Sequence, residues 1–96
     1  MNNKEILQFL AKQKNDYFKK FGVTKLGLFG SAARGENPSD IDLIVEFEQG
    51  TEDLFEKKNK IREAVESRFH LHVDICREKF MKPRVRKLIM QDAIFV

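Results

Sequence analysis

Two carboxylates spaced two residues apart inside an otherwise apolar run, Asp40-Ile41-Asp42-Leu43-Ile44-Val45, limit what this chain can become more than any other stretch of it. In an extended strand alternate side chains share a face, so Asp40 and Asp42 project to the same side. Asp is depleted in strands, and two adjacent carboxylates repel, so keeping both ionised needs a compensating cation. The residues leading into the pair narrow the reading. An apolar run, Lys25 to Phe29, ends at Gly30-Ser31, and a polar loop with Arg34, Gly35 and Pro38 follows. A Gly-Ser turn that leaves a strand and opens a short helix over Ser31 to Arg34 presents N–H and hydroxyl donors to an anion. Mg²⁺ takes one or two carboxylates together with substrate phosphate oxygens. Asp40 and Asp42 beside such a turn therefore describe a metal-dependent site for a nucleoside triphosphate. The competing reading makes one Asp a turn cap and points the other to solvent.

The Gly30-Ser31 … Asp40-Ile41-Asp42 arrangement resembles the nucleotidyltransferase superfamily that includes DNA polymerase beta and the aminoglycoside nucleotidyltransferases. Arg34-Gly35 after the Ser, Ser39 just before the Asp pair and the shortness of the chain bring it nearest to the minimal nucleotidyltransferase (MNT) family. A third family position is matched by Asp74 in Leu71-His72-Val73-Asp74-Ile75. The resemblance implies an α/β nucleotidyltransferase fold, a small mixed β-sheet packed by α-helices, with residues 1–96 forming one minimal domain. It also implies roles. Asp40, Asp42 and Asp74 would be the catalytic and metal-binding carboxylates, with Asp74 helping to deprotonate the acceptor hydroxyl. Gly30, Ser31 and Arg34 would hold the triphosphate, and Mg²⁺ with ATP would complete the site.

Periodicity places these residues on elements. Asn2 or Asn3 is positioned to cap a first helix carrying Ile6, Leu7, Phe9, Leu10, Tyr17, Phe18 and Phe21, and Gly22 stops it. Val23 to Phe29 and Asp40 to Phe47 read as strands, with Pro38 breaking the helical turn between them. Thr51 is expected to cap a helix running through Arg68, with Leu54, Phe55, Ile61, Ala64, Val65 and Phe69 on its apolar side. His70 to Cys76 alternates, setting Leu71, Val73 and Ile75 against His70, His72, Asp74 and Cys76. A last helix starts near Pro83, where proline is tolerated at the first position, and Val85, Leu88, Ile89 and Ala93 are its expected buried stripe.

Several residues have plainer readings. Asp74 could be a strand carboxylate paired with Arg77 or Lys79, and Arg34 a solvated charge. His70 and His72 lack the Cys or His cluster that would complete a zinc site, so surface or metal-supporting positions suit them better. Arg77, Lys79, Lys82, Arg84, Arg86 and Lys87 make the densest basic stretch. It suits phosphates, an acidic partner or nucleic acid, and equally a solvated helix face. Among the nine Phe residues, Phe80 and Phe95, with Met81, are candidates for a partner patch.

The single cysteine, Cys76, excludes an internal disulfide and a multi-Cys zinc centre. No apolar stretch reaches membrane-spanning length, and the N-terminus has no signal-peptide pattern, so a cytoplasmic location without membrane attachment is expected. A net charge of +3 with both signs dispersed does not argue for direct nucleic-acid binding. Ninety-six residues leave little surplus for the second lobe with which larger nucleotidyltransferases hold their acceptor, so the acceptor is expected to be captured by a small surface or by a partner protein. Stand-alone members of the resembled family are paired with a HEPN-domain protein, and some act as antitoxins that adenylylate a tyrosine of that ribonuclease toxin. The resemblance thus implies AMP transfer from ATP to a hydroxyl of a cognate HEPN toxin. The alternatives are a binding module that neutralises its partner by docking alone, and a small-molecule nucleotidyltransferase.

Overall fold

The computed structural model describes residues 3–96. Helix α1 (Asn3–Phe21) leads through Gly22 into β1 (Val23–Phe29), which runs directly into a single helical turn, α2 (Gly30–Ala33). Strand β2 (Asp40–Phe47), helix α3 (Leu54–Phe69), strand β3 (His72–Cys76), a 3-10 turn (Glu78–Phe80), helix α4 (Pro83–Asp92) and strand β4 (Ile94–Phe95) follow. The strands form one sheet in the order β3-β2-β1-β4. The α3 crossover makes β2 and β3 parallel, and the other two pairings are antiparallel. This is the mixed α/β arrangement expected, with one strand more: the closing residues return as β4 along β1.

Packing is lopsided. Ile6, Leu10 and Tyr17 of α1 and Ile61, Val65 and Phe69 of α3 cover one face of the sheet, meeting Leu26, Leu28, Ile41, Leu43, Val45 and Val73. Full burial of such side chains contributes about 1.5–3 kcal/mol each, so this face supplies the core. The opposite face carries Asp40, Asp42, Ile44 and Glu46 of β2, and among the described residues no helix of comparable apolar character lies over it. Where β4 crosses β1, Gly27 pairs with Phe95, and a Cβ on Gly27 would sit 2.6 Å from the Phe95 ring. Glycine there lets the ring lie against the strand.

Four expectations change at element ends. Asn2 lies outside the described residues, and Asn3 does not cap α1: its Nδ2 donates to the carbonyl of Ala33 at 2.9 Å, tying α1 to the end of α2. Thr51 does not cap α3 either, since its hydroxyl donates to the Glu48 carbonyl (2.6 Å) and closes a turn, and the helix begins at Leu54. Phe55 is 76% exposed and Ala64 is exposed as well, because α3 turns only its Ile61-Val65-Phe69 side to the sheet. His70 leaves the strand altogether: it ends α3 in the left-handed region (φ 58), its N–H donating to the Glu66 carbonyl.

Helix α4 departs furthest from its pattern. Val85 and Leu88 are 45% and 60% exposed, Ile89 and Ala93 are half-buried, and no residue of α4 is fully buried. An amphipathic stripe states what a helix can bury, and the core face that would receive it is already filled by α1 and α3.

Candidate active site

The register of the sheet brings the carboxylates together. Asp42 lies opposite Phe29 at the end of β1 on one side and opposite Asp74 on the other, and Asp40 lies opposite His72. Residues in register on neighbouring strands share a face, so Asp40, Asp42 and Asp74 occupy one patch on the side of the sheet that α1 and α3 leave open. Burial first, then the charges of Asp74 and Asp40, push the Asp42 carboxyl above the usual carboxylate range, with His72 opposing. Cys76 on the same face is raised by burial and then by Asp42 and Asp74. Its thiol is thus held protonated, consistent with an inert packing role.

Three hard oxygen donors carrying mutually unfavourable negative charge suit a divalent cation such as Mg²⁺. Among the described residues no group of three or more His, Cys, Asp or Glu side chains is arranged to hold a metal ion. The carboxylates share a face and influence one another electrostatically without converging on one point.

Gly30 is joined to this patch by contact. It adopts φ 76, a region that L side chains enter at a cost, and a Cβ there would sit 2.8 Å from Oδ2 of Asp42. The bare glycine backbone thus forms the floor against which the Asp42 carboxylate rests. Ser31, half-buried, follows in the first turn of α2, where backbone N–H groups lack intrahelical acceptors. The carboxyl end of β1, the start of α2, the first residues of β2 and the middle of β3 therefore place an anion-seeking turn beside cation-seeking side chains.

Arg34 is placed differently. Its Nε and Nη2 pair with Glu36 and its Nη1 reaches Asp92 Oδ2 at 2.9 Å, so it clasps the end of α2 to the end of α4. A phosphate contact by Arg34 would require exchanging those partners. Glu36 in turn is held below the usual carboxylate range by the Arg34 hydrogen bond.

The basic stretch separates into members with different tasks. Arg77 does not pair with Asp74: its Nε and Nη2 donate to Glu46 Oε1 at 3.1 and 3.0 Å, and the N–H of Lys79 donates to Glu46 Oε2. The guanidinium stacks near Phe47 and Phe80. Glu78 meets Lys25 and Arg86 at 3.3 and 3.4 Å; burial works to raise it, and the two cations outweigh that and leave it lowered. Lys82, Arg84 and Lys87 are exposed. Phe80 is 73% exposed and Phe95 39% exposed, the latter lying over Gly27 beneath the Lys25 ammonium.

One arrangement was not foreseen. His72 Nε2 lies 3.0 Å from Asp74 Oδ1, its Nδ1 lies 3.5 Å from Glu66 Oε2, and the same Glu66 oxygen accepts the N–H of Val73 at 2.9 Å. The spacing of His72 and Asp74 was readable in the strand pattern. Glu66 was not, since it arrives from α3. Concave surfaces lie along Met81, Arg86 and Met90 and between Leu7, Ala11 and the β4 residues Ile94 and Phe95.

Comparison with known proteins follows the same lines. The nucleotidyltransferase domain family matches residues 6–96. MJ1379 of Methanocaldococcus jannaschii, provisionally named a protein adenylyltransferase, is 38% identical over 95 residues, covering 96% of this chain and 95% of its own. The protein adenylyltransferase MntA of Thermococcus cleftensis is 32% identical over 94 residues, covering 96% and 93%. A solved structure provisionally described as a minimal nucleotidyltransferase superposes with a TM-score of 0.74 at 30% identity, covering 98% of this chain and 95% of that one. The fold is also that of a chain in the MntA–HpeT toxin–antitoxin structure (TM-score 0.65, 17% identity, 100% and 72% covered).

Proposed function

This chain belongs to the nucleotidyltransferase domain family, and on that premise we propose that it is a protein adenylyltransferase. It moves AMP from ATP to a hydroxyl, a tyrosine of a cognate HEPN ribonuclease toxin, and so acts as the antitoxin of a pair. The observation that carries the reading is Asp42, in register with Asp74 and seated against Gly30, its carboxyl pushed up by burial and then by the charges of Asp74 and Asp40. The names of two relatives and the toxin–antitoxin structure support a protein acceptor.

In this mechanism Asp40, Asp42 and Asp74 would hold Mg²⁺. The cation would neutralise the triphosphate and stabilise charge that develops as the bond between the α-phosphorus and the pyrophosphate oxygen breaks. Gly30 lets the phosphates approach the backbone, and Ser31 donates to them from the first turn of α2. Asp74 accepts the proton of the acceptor hydroxyl as its oxygen bonds to the α-phosphorus, and pyrophosphate leaves. Little else is demanded of the protein, because positioning and charge neutralisation supply most of the rate. The 96 residues work as one unit. No helix among the described residues is long and apolar enough to cross a membrane, and a cytoplasmic setting is part of this proposal.

The test is the intact mass of the neighbouring-gene partner after incubation with this protein, ATP and Mg²⁺. A gain of one or more AMP units is expected. An unmodified partner that still forms a tight complex would replace transfer by docking.

Gly30→Ala probes the floor of the site. The methyl group enters a left-handed backbone position, at a cost of about 1–2 kcal/mol, and pushes directly on Asp42 Oδ2. Transfer should fall by about 100-fold, the usual consequence of an ångström-scale displacement of a reacting group, while the circular dichroism spectrum stays native. Activity within about threefold of the parent would show that Asp42 does not need this seat.

A further inference from the structure

We propose that His72 is a positioning residue, held from behind by Glu66, that orients the Asp74 carboxylate toward the open patch. The proposal rests on reading Asp40, Asp42 and Asp74 as a cation site.

Strand β3 is an edge of the sheet. Its Val73 N–H would face outward without a partner, and Glu66 of α3 supplies one at 2.9 Å. That bond fixes Glu66 at the sheet edge beside His72. The imidazole of His72 then stands between two carboxylates, with Asp74 Oδ1 at 3.0 Å and Glu66 Oε2 at 3.5 Å. Both ring nitrogens face a carboxylate, so the ring is not free to ligate a metal in this orientation. It acts on Asp74 instead.

Asp74 needs such help. It projects from an exposed strand position where its carboxylate has several rotamers to choose from. The only side-chain hydrogen bond it makes among the described residues is the one from His72. With Oδ1 engaged, Oδ2 is left to the patch it shares with Asp42. Ligands held this way by a neighbouring hydrogen bond bind metal more tightly because their orientation is settled in advance. Asp42 has a comparable constraint from Gly30, by contact rather than by hydrogen bond. The two carboxylates in register are thus each seated by a neighbour, one against backbone and one against a ring.

The experiment is Mn²⁺ titration by electron paramagnetic resonance, with a non-hydrolysable ATP analogue present, on the parent, Asp42→Asn, His72→Ala, His72→Phe and His72→Gln. Thermal melts and steady-state kinetics accompany it. His72→Ala and His72→Phe should each weaken Mn²⁺ binding about 10-fold and lower kcat with the KM for ATP unchanged. His72→Gln, which keeps a donor, should recover most of both. If His72→Ala does not fold, His72→Phe, which keeps the ring volume, carries the test. Parent-like Mn²⁺ affinity and kcat in His72→Phe would overturn the proposal while leaving the carboxylate site standing. A parent that binds Mn²⁺ no better than Asp42→Asn would overturn the site itself and this proposal with it.

Discussion

Asp42→Asn should abolish transfer while leaving the protein folded. The substitution keeps shape and removes the charge at the centre of the patch, between Phe29 and Asp74 in register. Loss of several kcal/mol of transition-state stabilisation corresponds to about 10³-fold in kcat. The stability of the metal-free protein should move the other way. The Asp42 proton affinity is raised in the folded state, so the folded protein binds that proton more tightly than the unfolded chain does. Ionised Asp42 therefore subtracts stability at neutral pH, and the penalty disappears as pH falls below the unfolded carboxylate value of about 3.9, where both states are protonated. Without metal, Asp42→Asn should melt at or above the parent temperature at pH 7, and the two should converge under acid. Mg²⁺ with an ATP analogue should raise the melting temperature of the parent and not of the variant. Undiminished transfer, or a variant that fails to fold, would remove Asp42 from the centre of the mechanism.

Breaking the Glu46–Arg77 pair should cost the most stability. The side chains are 15% and 9% exposed, Arg77 makes both of its bonds to Glu46 Oε1, and Lys79 N–H takes the other oxygen. Removing one partner strands a nearly buried charge, a loss of about 3 kcal/mol. In a domain of this size that lowers the melting temperature by about 12–24 °C. Glu46→Ala and Arg77→Ala should both show it by differential scanning calorimetry. The pair Glu46→Gln with Arg77→Met should recover much of the loss, since the stranded charge is the main penalty. A drop below about 3 °C in either single variant would mean that water reaches the remaining charge.

The parts of the site that were legible are those whose signal is local. Asp40 and Asp42 stand out because an alternating strand rarely holds them, and Gly30-Ser31 because it sits where a strand turns into a helix. Asp74 took its place from the alternation of β3, and the register confirmed that it faces Asp42. What escaped depends on which surfaces meet. Thr51 is as good a capping residue as any, yet the chain reaches α3 two residues later through Asp53 in the left-handed region. Val85 and Leu88 make a credible apolar stripe, yet the face it would cover is taken. The Glu66–His72–Asp74 chain spans a helix and an edge strand, and nothing in the spacing of Glu66 announces it. Arg77 looked like one more surface cation and proved to be the least exposed partner in the ion pairs of the described residues.

The division of β2 into a charged and an apolar face has an effect on assembly of the chain as well. Ile41, Leu43 and Val45 enter the core, while Asp40, Asp42 and Glu46 stay outside it. A slip of one residue in pairing would exchange the two sets. It would press three carboxylates against Leu10, Ile61 and Val65, where each unpaired charge costs several kcal/mol. Misaligned hairpins are thereby strongly disfavoured. The acidic residues assigned to chemistry also act as sentinels of correct folding, and a variant that neutralises them should give up some of that surveillance along with its activity.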